Sequence, residues 1–156
     1  MKVQDLMTPT VHTCRPGDPL DVATKHMCEH GCGCLPVVDD AGRVVGLLSH
    51  RDVCAAACSH DRPLSGLTVS DAMSRDVVVC APGDSLAAAE QLMGTNQVRR
   101  LPVVDGGRLV GILSVNDLAL AALSPVRQRK RMAPTALEIA ETMALICARR
   151  ASAPTP

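Results

Sequence analysis

The stretch Leu101–Asp117, LPVVDGGRLVGILSVND, decides the fold because the chain carries it twice; the earlier copy is Leu35–Asp52, LPVVDDAGRVVGLLSHRD. Each copy reads as an apolar strand, a tight turn with Asp and Gly, a second apolar strand, and a polar Ser-x-x-Asp where a helix begins. Ser49 with Asp52 and Ser114 with Asp117 fit the capping-box pattern, in which the hydroxyl satisfies an orphan N–H of the first helical turn. The same arrangement has a second use. A helix N-terminus attracts an anion such as phosphate, and a carboxylate accepts hydrogen bonds from two neighbouring hydroxyls, as on a ribose. On these residues alone both readings stay open.

Outward from the hairpins the duplication continues. At an offset of 66, Val3, Asp5 and Met7 match Val69, Asp71 and Met73, and Pro16-Gly17-Asp18 matches Pro82-Gly83-Asp84. Leu20, Ala23 and Met27 match Leu86, Ala89 and Met93, and after the hairpin turn the offset falls to 65, because the first turn is one residue longer. A length change confined to a hairpin is where a duplicated fold tolerates it. Each repeat is expected to run lead-in helix, strand, helix, two strands, closing helix. The early strands are expected at Val11–Cys14 and Val77–Cys80, with Asp18 and Asp84 as N-caps of the following helices. The fold class is therefore α/β (α+β), with two repeats packed sheet to sheet in pseudo-twofold fashion, since one such unit cannot bury both sheet faces alone. The domain reading is repeat 1 over residues 1–66, repeat 2 over 67–124, and a basic linker, amphipathic helix and tail over 125–156.

Composition narrows the function classes. The 156 residues carry equal numbers of acidic and basic side chains, 16 each, but unevenly. Residues 1–124 hold 10 Lys/Arg and 14 Asp/Glu, and the remainder holds 6 and 2, which argues against a body built to grip nucleic acid. Phe, Tyr and Trp are absent, so base-stacking platforms are absent too. Eight Cys accompany an N-terminus without a signal-peptide pattern and no membrane-length apolar run, which reads as a cytoplasmic protein with reduced thiols. No nucleophile-base constellation or phosphate-cradling Gly-rich loop stands out, so no enzyme activity is expected.

The paired LPVVD, G-h-h-S-x-x-D and PGD-x-L elements over residues 1–124 resemble a tandem of CBS (cystathionine-β-synthase-type) domains, the Bateman module. The resemblance implies a homodimer of such pairs that senses adenosine-containing ligands (AMP, ADP, ATP or S-adenosylmethionine) in clefts between repeats and regulates a partner protein. It requires no cofactor. Carried onto this chain, it joins Ser114 and Asp117 to His12, Cys32, Gly33 and Cys34 in one cleft. In the other it joins Ser49 and Asp52 to Val78, Val98, Arg99 and Arg100. The Asp would hold the ribose diol, the Ser a phosphate or ribose oxygen, and amides with apolar side chains the adenine. Arg99-Arg100 stand where the first repeat has Gly33-Cys34, so one cleft is expected to favour phosphate-bearing nucleotides. The alternative is an interaction scaffold whose Ser-x-x-Asp elements are only helix caps.

His26-x-Cys28-x-His30-x-Cys32-x-Cys34 contains zinc-type ligands, but its spacing runs from a helix end into a strand without a second Cys-x-x-Cys half-site, so no metal is expected. Cys14, Cys80, Cys54 and Cys147 read as packing positions, and His50 and Arg51 as an exposed first turn. Beyond the basic run Arg127–Arg131, read as a solvated linker, Thr135 is expected to cap a helix whose face at 136, 139, 140, 143, 146 and 147 packs on the body or another subunit. The final ASAPTP is expected to be disordered.

Overall fold

The computed structural model describes residues 1–123 and 133–148; the basic run Arg127–Arg131 and the terminal ASAPTP lie outside them. Six α-helices and four strands appear among the described residues: α1 (Leu20–Glu29), β1 (Cys34–Val38), β2 (Val44–Ser49), α2 (His50–Ser59), α3 (Val69–Ala72), α4 (Leu86–Asn96), β3 (Arg100–Asp105), β4 (Arg108–Ser114), α5 (Val115–Ala122) and α6 (Ala136–Cys147). Two 3-10 turns, Val3–Asp5 and Leu64–Gly66, complete the set.

Both apolar runs of each duplicated stretch form a two-stranded sheet, β1 with β2 and β3 with β4. In the first, Leu35 faces Leu48 and Val37 faces Gly46 across an antiparallel ladder that shifts register between Val37 and Val38. The turns follow their sequences. Asp39 accepts from the amides of Ala41 and Arg43 at 3.0 and 2.9 Å, and Gly42 sits at φ 78°. In the shorter turn Gly106 and Gly107 take φ 53° and 82°, a left-handed pair that side chains with a Cβ rarely adopt.

The chain divides into two compact units, and these do not follow the repeat order. One contains Pro9–Val77 with Val104–Val110. Its core is Cys14, Leu20, Ala23, Met27, Leu35, Val37, Leu48, Val53 and Ala56, together with Leu67, Val69 and Met73 of the second repeat's lead-in. The other contains Met1–Thr8, Val78–Val103 and the described residues from Gly111 onward. It buries Val3 of the first lead-in with Leu86, Ala89, Met93, Leu101, Val103, Leu113 and Leu118. Each lead-in segment therefore packs among residues of the opposite repeat. Thr8 bridges Ile112 and Ser74 bridges Leu47, both antiparallel, and Val3 N–H donates to the Asp84 carbonyl at 2.9 Å.

Two local expectations are corrected. Val11–Cys14 and Val77–Cys80 do not form strands; each contributes a single parallel bridge, Cys14 to Val37 and Cys80 to Val103. Asp18 and Asp84 do not cap helices but close the preceding turns, accepting from the amides of Arg15 (2.7 Å) and Ala81 (2.8 Å). Helix α1 starts after Pro19, while α4 is capped by Ser85, whose hydroxyl accepts from the Ala88 amide at 3.1 Å. A short Asp side chain satisfies whichever N–H its own backbone places in reach, and here the turn comes first.

Helix α6 begins as expected: Thr135 Oγ1 accepts from the Glu138 amide at 3.2 Å and the Glu138 carboxylate returns to the Thr135 amide at 2.6 Å. It packs against α4 and α5. Its buried face is Ile139, Thr142 and Ile146 with Met143 at the edge, whereas Ala136, Ala140 and Cys147 are exposed. Among the described residues no helix is long and apolar enough to cross a membrane.

Candidate functional site

The two Ser-x-x-Asp elements are built alike. Ser49 and Ser114 are the N-caps of α2 and α5, with φ/ψ of −119°/165° and −124°/160°. Asp52 Oδ2 accepts from the Ser49 amide at 2.7 Å and the Ser49 hydroxyl at 2.6 Å, and the Ser49 oxygen accepts from the Asp52 amide at 3.3 Å. At the second site the corresponding distances are 2.8, 2.6 and 3.3 Å. The capping expectation holds at both helices, and it uses only one carboxylate oxygen.

The other oxygen differs between the repeats. Asp52 Oδ1 accepts from the Ser74 hydroxyl at 3.3 Å. Thr8, which occupies the equivalent lead-in position, makes no such bond to Asp117 among the described residues. Both aspartates are half-buried at the start of a helix whose free amides favour negative charge.

Of the remaining candidates, Cys34, Gly33 and Arg99 meet the start of a closing helix in their own unit. Cys34 pairs with Ser49 in the β1–β2 ladder, and the Gly33 carbonyl accepts from the His50 amide at 3.4 Å. In the other unit the Arg99 carbonyl accepts from the Val115 amide at 3.1 Å, so the residue just before the hairpin meets the closing helix in both repeats. Arg99 is exposed and donates to the Cys147 sulfur on α6 at 3.8 Å. Arg100 opens β3 half-buried, and Val78 and Val98 are also half-buried. Cys32 and Gly33 are half-buried and Cys34 is buried. His12 is exposed, and its ring stacks on that of His30 with centroids 3.9 Å apart.

The cysteines divide differently from their reading as packing positions. Cys14 and Cys80 are buried, and that burial, with Asp18 or Asp84 nearby, pushes their thiols up to about 12 and about 11 respectively. Cys54 and Cys147 are exposed, as are Cys28 and Cys58. Helix periodicity alone could not reveal this, because α2 buries only Val53 and Ala56.

The family is settled by comparison with known proteins. The CBS domain model matches residues 3–59 and again 69–124. The chain belongs to the CBS domain family. A curated relative, CBS domain-containing protein YhcV of Bacillus subtilis, is 40% identical over 123 residues, which span 78% of this chain and 86% of that protein. Among solved structures, CBSX2 in complex with AMP is 33% identical with a TM-score of 0.70, covering 83% of this chain and 98% of its own. The CBS domain pair of MJ0100, in complex with 5′-methylthioadenosine and S-adenosyl-L-methionine, is 24% identical and shares the fold, with a TM-score of 0.70 over 77% of this chain and 94% of its own. The tandem pair expected from the duplicated hairpins is thereby shown.

Proposed function

We propose that this CBS pair is a regulatory module of the cytoplasm, not an enzyme, and that it binds an adenosine-containing ligand and passes that state to a partner protein. The observation that carries the reading is the duplicated cap. Each helix start leaves one aspartate oxygen outside the capping box, beside a hydroxyl and helix amides. That set matches a ribose diol next to a phosphate or other polar group. The AMP bound by CBSX2 supports the class of ligand.

The proposed site residues are Ser114 and Asp117 with His12, Cys32, Gly33 and Cys34, and Ser49 and Asp52 with Val78, Val98, Arg99 and Arg100. Asp117 is the stronger ribose acceptor, because Ser74 already donates to the Asp52 oxygen that lies outside the capping box. Arg99 and Arg100 supply guanidinium donors for phosphate at the second set, where Gly33 and Cys34 supply none at the first. A homodimer of pairs and the boundaries 1–66, 67–124 and 125–156 complete the proposal.

A second reading is favoured by one specific fact. Both capping boxes are fully satisfied by protein atoms, which is what a scaffold with non-binding clefts requires. Isothermal titration calorimetry with AMP, ADP, ATP and S-adenosylmethionine separates the two. Micromolar binding, about −8 kcal/mol, that is lost at one set in Asp52→Ala and at the other in Asp117→Ala supports the sensor. Silence from all four ligands in a folded sample, or full binding in both variants, overturns it.

A further inference from the structure

The spacing of His26-x-Cys28-x-His30-x-Cys32-x-Cys34 does not suit a zinc site of the Cys/His type, but the fold assembles a different donor set there. His26 lies in the last turn of α1 and His30 is its C-cap, one helical turn further on; the His30 amide donates to the His26 carbonyl at 3.2 Å. Residues four apart stand on one face of a helix. His12 arrives from the preceding segment, which Cys14 ties to β1 through bonds to the Pro36 carbonyl at 3.2 Å and from the Val38 amide at 2.9 Å. One candidate ligand nitrogen from each of the three rings lies within 4.8 Å of the others. The rings lie close together: His12 to His30 3.9 Å, His26 to His30 4.4 Å, His12 to His26 5.0 Å between centroids.

We propose that His12, His26 and His30 form a binding site for a borderline divalent transition metal, of the zinc, cobalt or nickel type, with a coordination position left open. The chemistry follows from the donors. Imidazole nitrogens suit these ions rather than calcium or magnesium, which take oxygen ligands. Tetrahedral bonds of about 2.0–2.1 Å place ligand nitrogens about 3.3 Å apart. The 4.8 Å limit therefore closes by side-chain rotation of His12 and His30, both exposed. Cys28, between the two helical histidines in sequence, is turned roughly 200° from His26 around the helix and faces away. Three protein nitrogens at the surface leave the fourth place to water or to an incoming ligand atom.

The site stands apart from the nucleotide reading in its test, although His12 belongs to both. Tag-free protein with no nucleotide is titrated with Co2+ and followed by its visible and near-ultraviolet absorption. The expected result is one saturable Co2+ per chain, with ligand-field bands but no intense thiolate-to-cobalt band. Affinity should be about tenfold or more weaker in His26→Gln and in His30→Gln, and unchanged in Cys28→Ser. Zn2+ should displace the cobalt. Far-ultraviolet circular dichroism of each metal-free variant should match the parent. Absence of saturable binding, a strong thiolate band, or binding unchanged in both histidine variants overturns the proposal; a failed nucleotide titration leaves it standing.

Discussion

Replacing Gly111 by alanine tests the close approach of the lead-in segment to β4. A Cβ at Gly111 would stand 2.6 Å from Met7 Sδ and 3.1 Å from the Thr8 carbonyl oxygen. The thioether is the end of a flexible side chain and can turn away. The carbonyl cannot, because it accepts from the Ile112 amide at 3.0 Å while the Thr8 amide donates to the Ile112 carbonyl at 2.9 Å. Overpacking of this kind costs about 1–3 kcal/mol. Loss of glycine's freedom in the unfolded chain offsets about 0.4–1 kcal/mol, leaving a net destabilisation of about 1–2 kcal/mol. In a chain of this size that lowers Tm by about 2–8 °C. Urea and thermal unfolding followed by far-ultraviolet circular dichroism read it directly, since Trp and Tyr are absent. Gly17→Ala is the control, because a Cβ there meets nothing within 4 Å. Combining Gly111→Ala with Met7→Ala should cost less than the sum of the two single changes, because the shorter side chain removes one of the two clashes. If Gly111→Ala is as stable as Gly17→Ala, the close-approach reasoning is wrong.

Other outcomes follow from the same structure. Asp52→Ala and Asp117→Ala should each lower stability by about 1 kcal/mol through loss of the cap, in addition to abolishing ligand binding at one set, so calorimetric and unfolding data on the same samples should move together. Glu90 has a buried Oε1 without a partner among the described residues, and burial with Glu138 nearby raises its carboxyl above the usual range. A carboxyl held more tightly protonated in the folded state weakens the fold as pH rises through that raised value. Glu90→Gln should therefore stabilise by several tenths of a kcal/mol near neutrality, after allowance for solvent screening, and the gain should vanish in acid. Asp71 and Glu138 are held low by hydrogen bonds from Thr68 and Thr135, so their contribution is present above the ordinary carboxylate value and fades as pH falls through the depressed one. A pH series on Asp71→Asn and Glu138→Gln should show each difference from the parent shrinking in acid. Alkylation with iodoacetamide at neutral pH should label Cys28, Cys54, Cys58 and Cys147 well before Cys14 and Cys80, whose thiols are buried and raised; peptide mass spectrometry gives the order.

What the sequence determined by itself was local. The apolar runs of the LPVV and G-h-h-S segments, the Asp- and Gly-bearing turns and the Ser-x-x-Asp caps each depend on neighbours a few residues away, so β1–β2, β3–β4 and the starts of α2 and α5 were legible in the residues alone. Their repetition carried the family. Tertiary structure decided what depends on partners distant in the chain. Val11–Cys14 has the composition of a strand but meets β1 at one residue, and Cys54 and Cys147 lie exposed because the helices that carry them bury other faces. Met7 and Thr8 lie against Gly111 and Ile112, more than a hundred residues on. His12 meets His26 and His30 only in the folded chain, where the bonds of Cys14 hold its segment to β1. Periodicity and capping are written in adjacent residues, whereas which segments meet is set by the joint burial of apolar faces, a property of the folded chain as a whole.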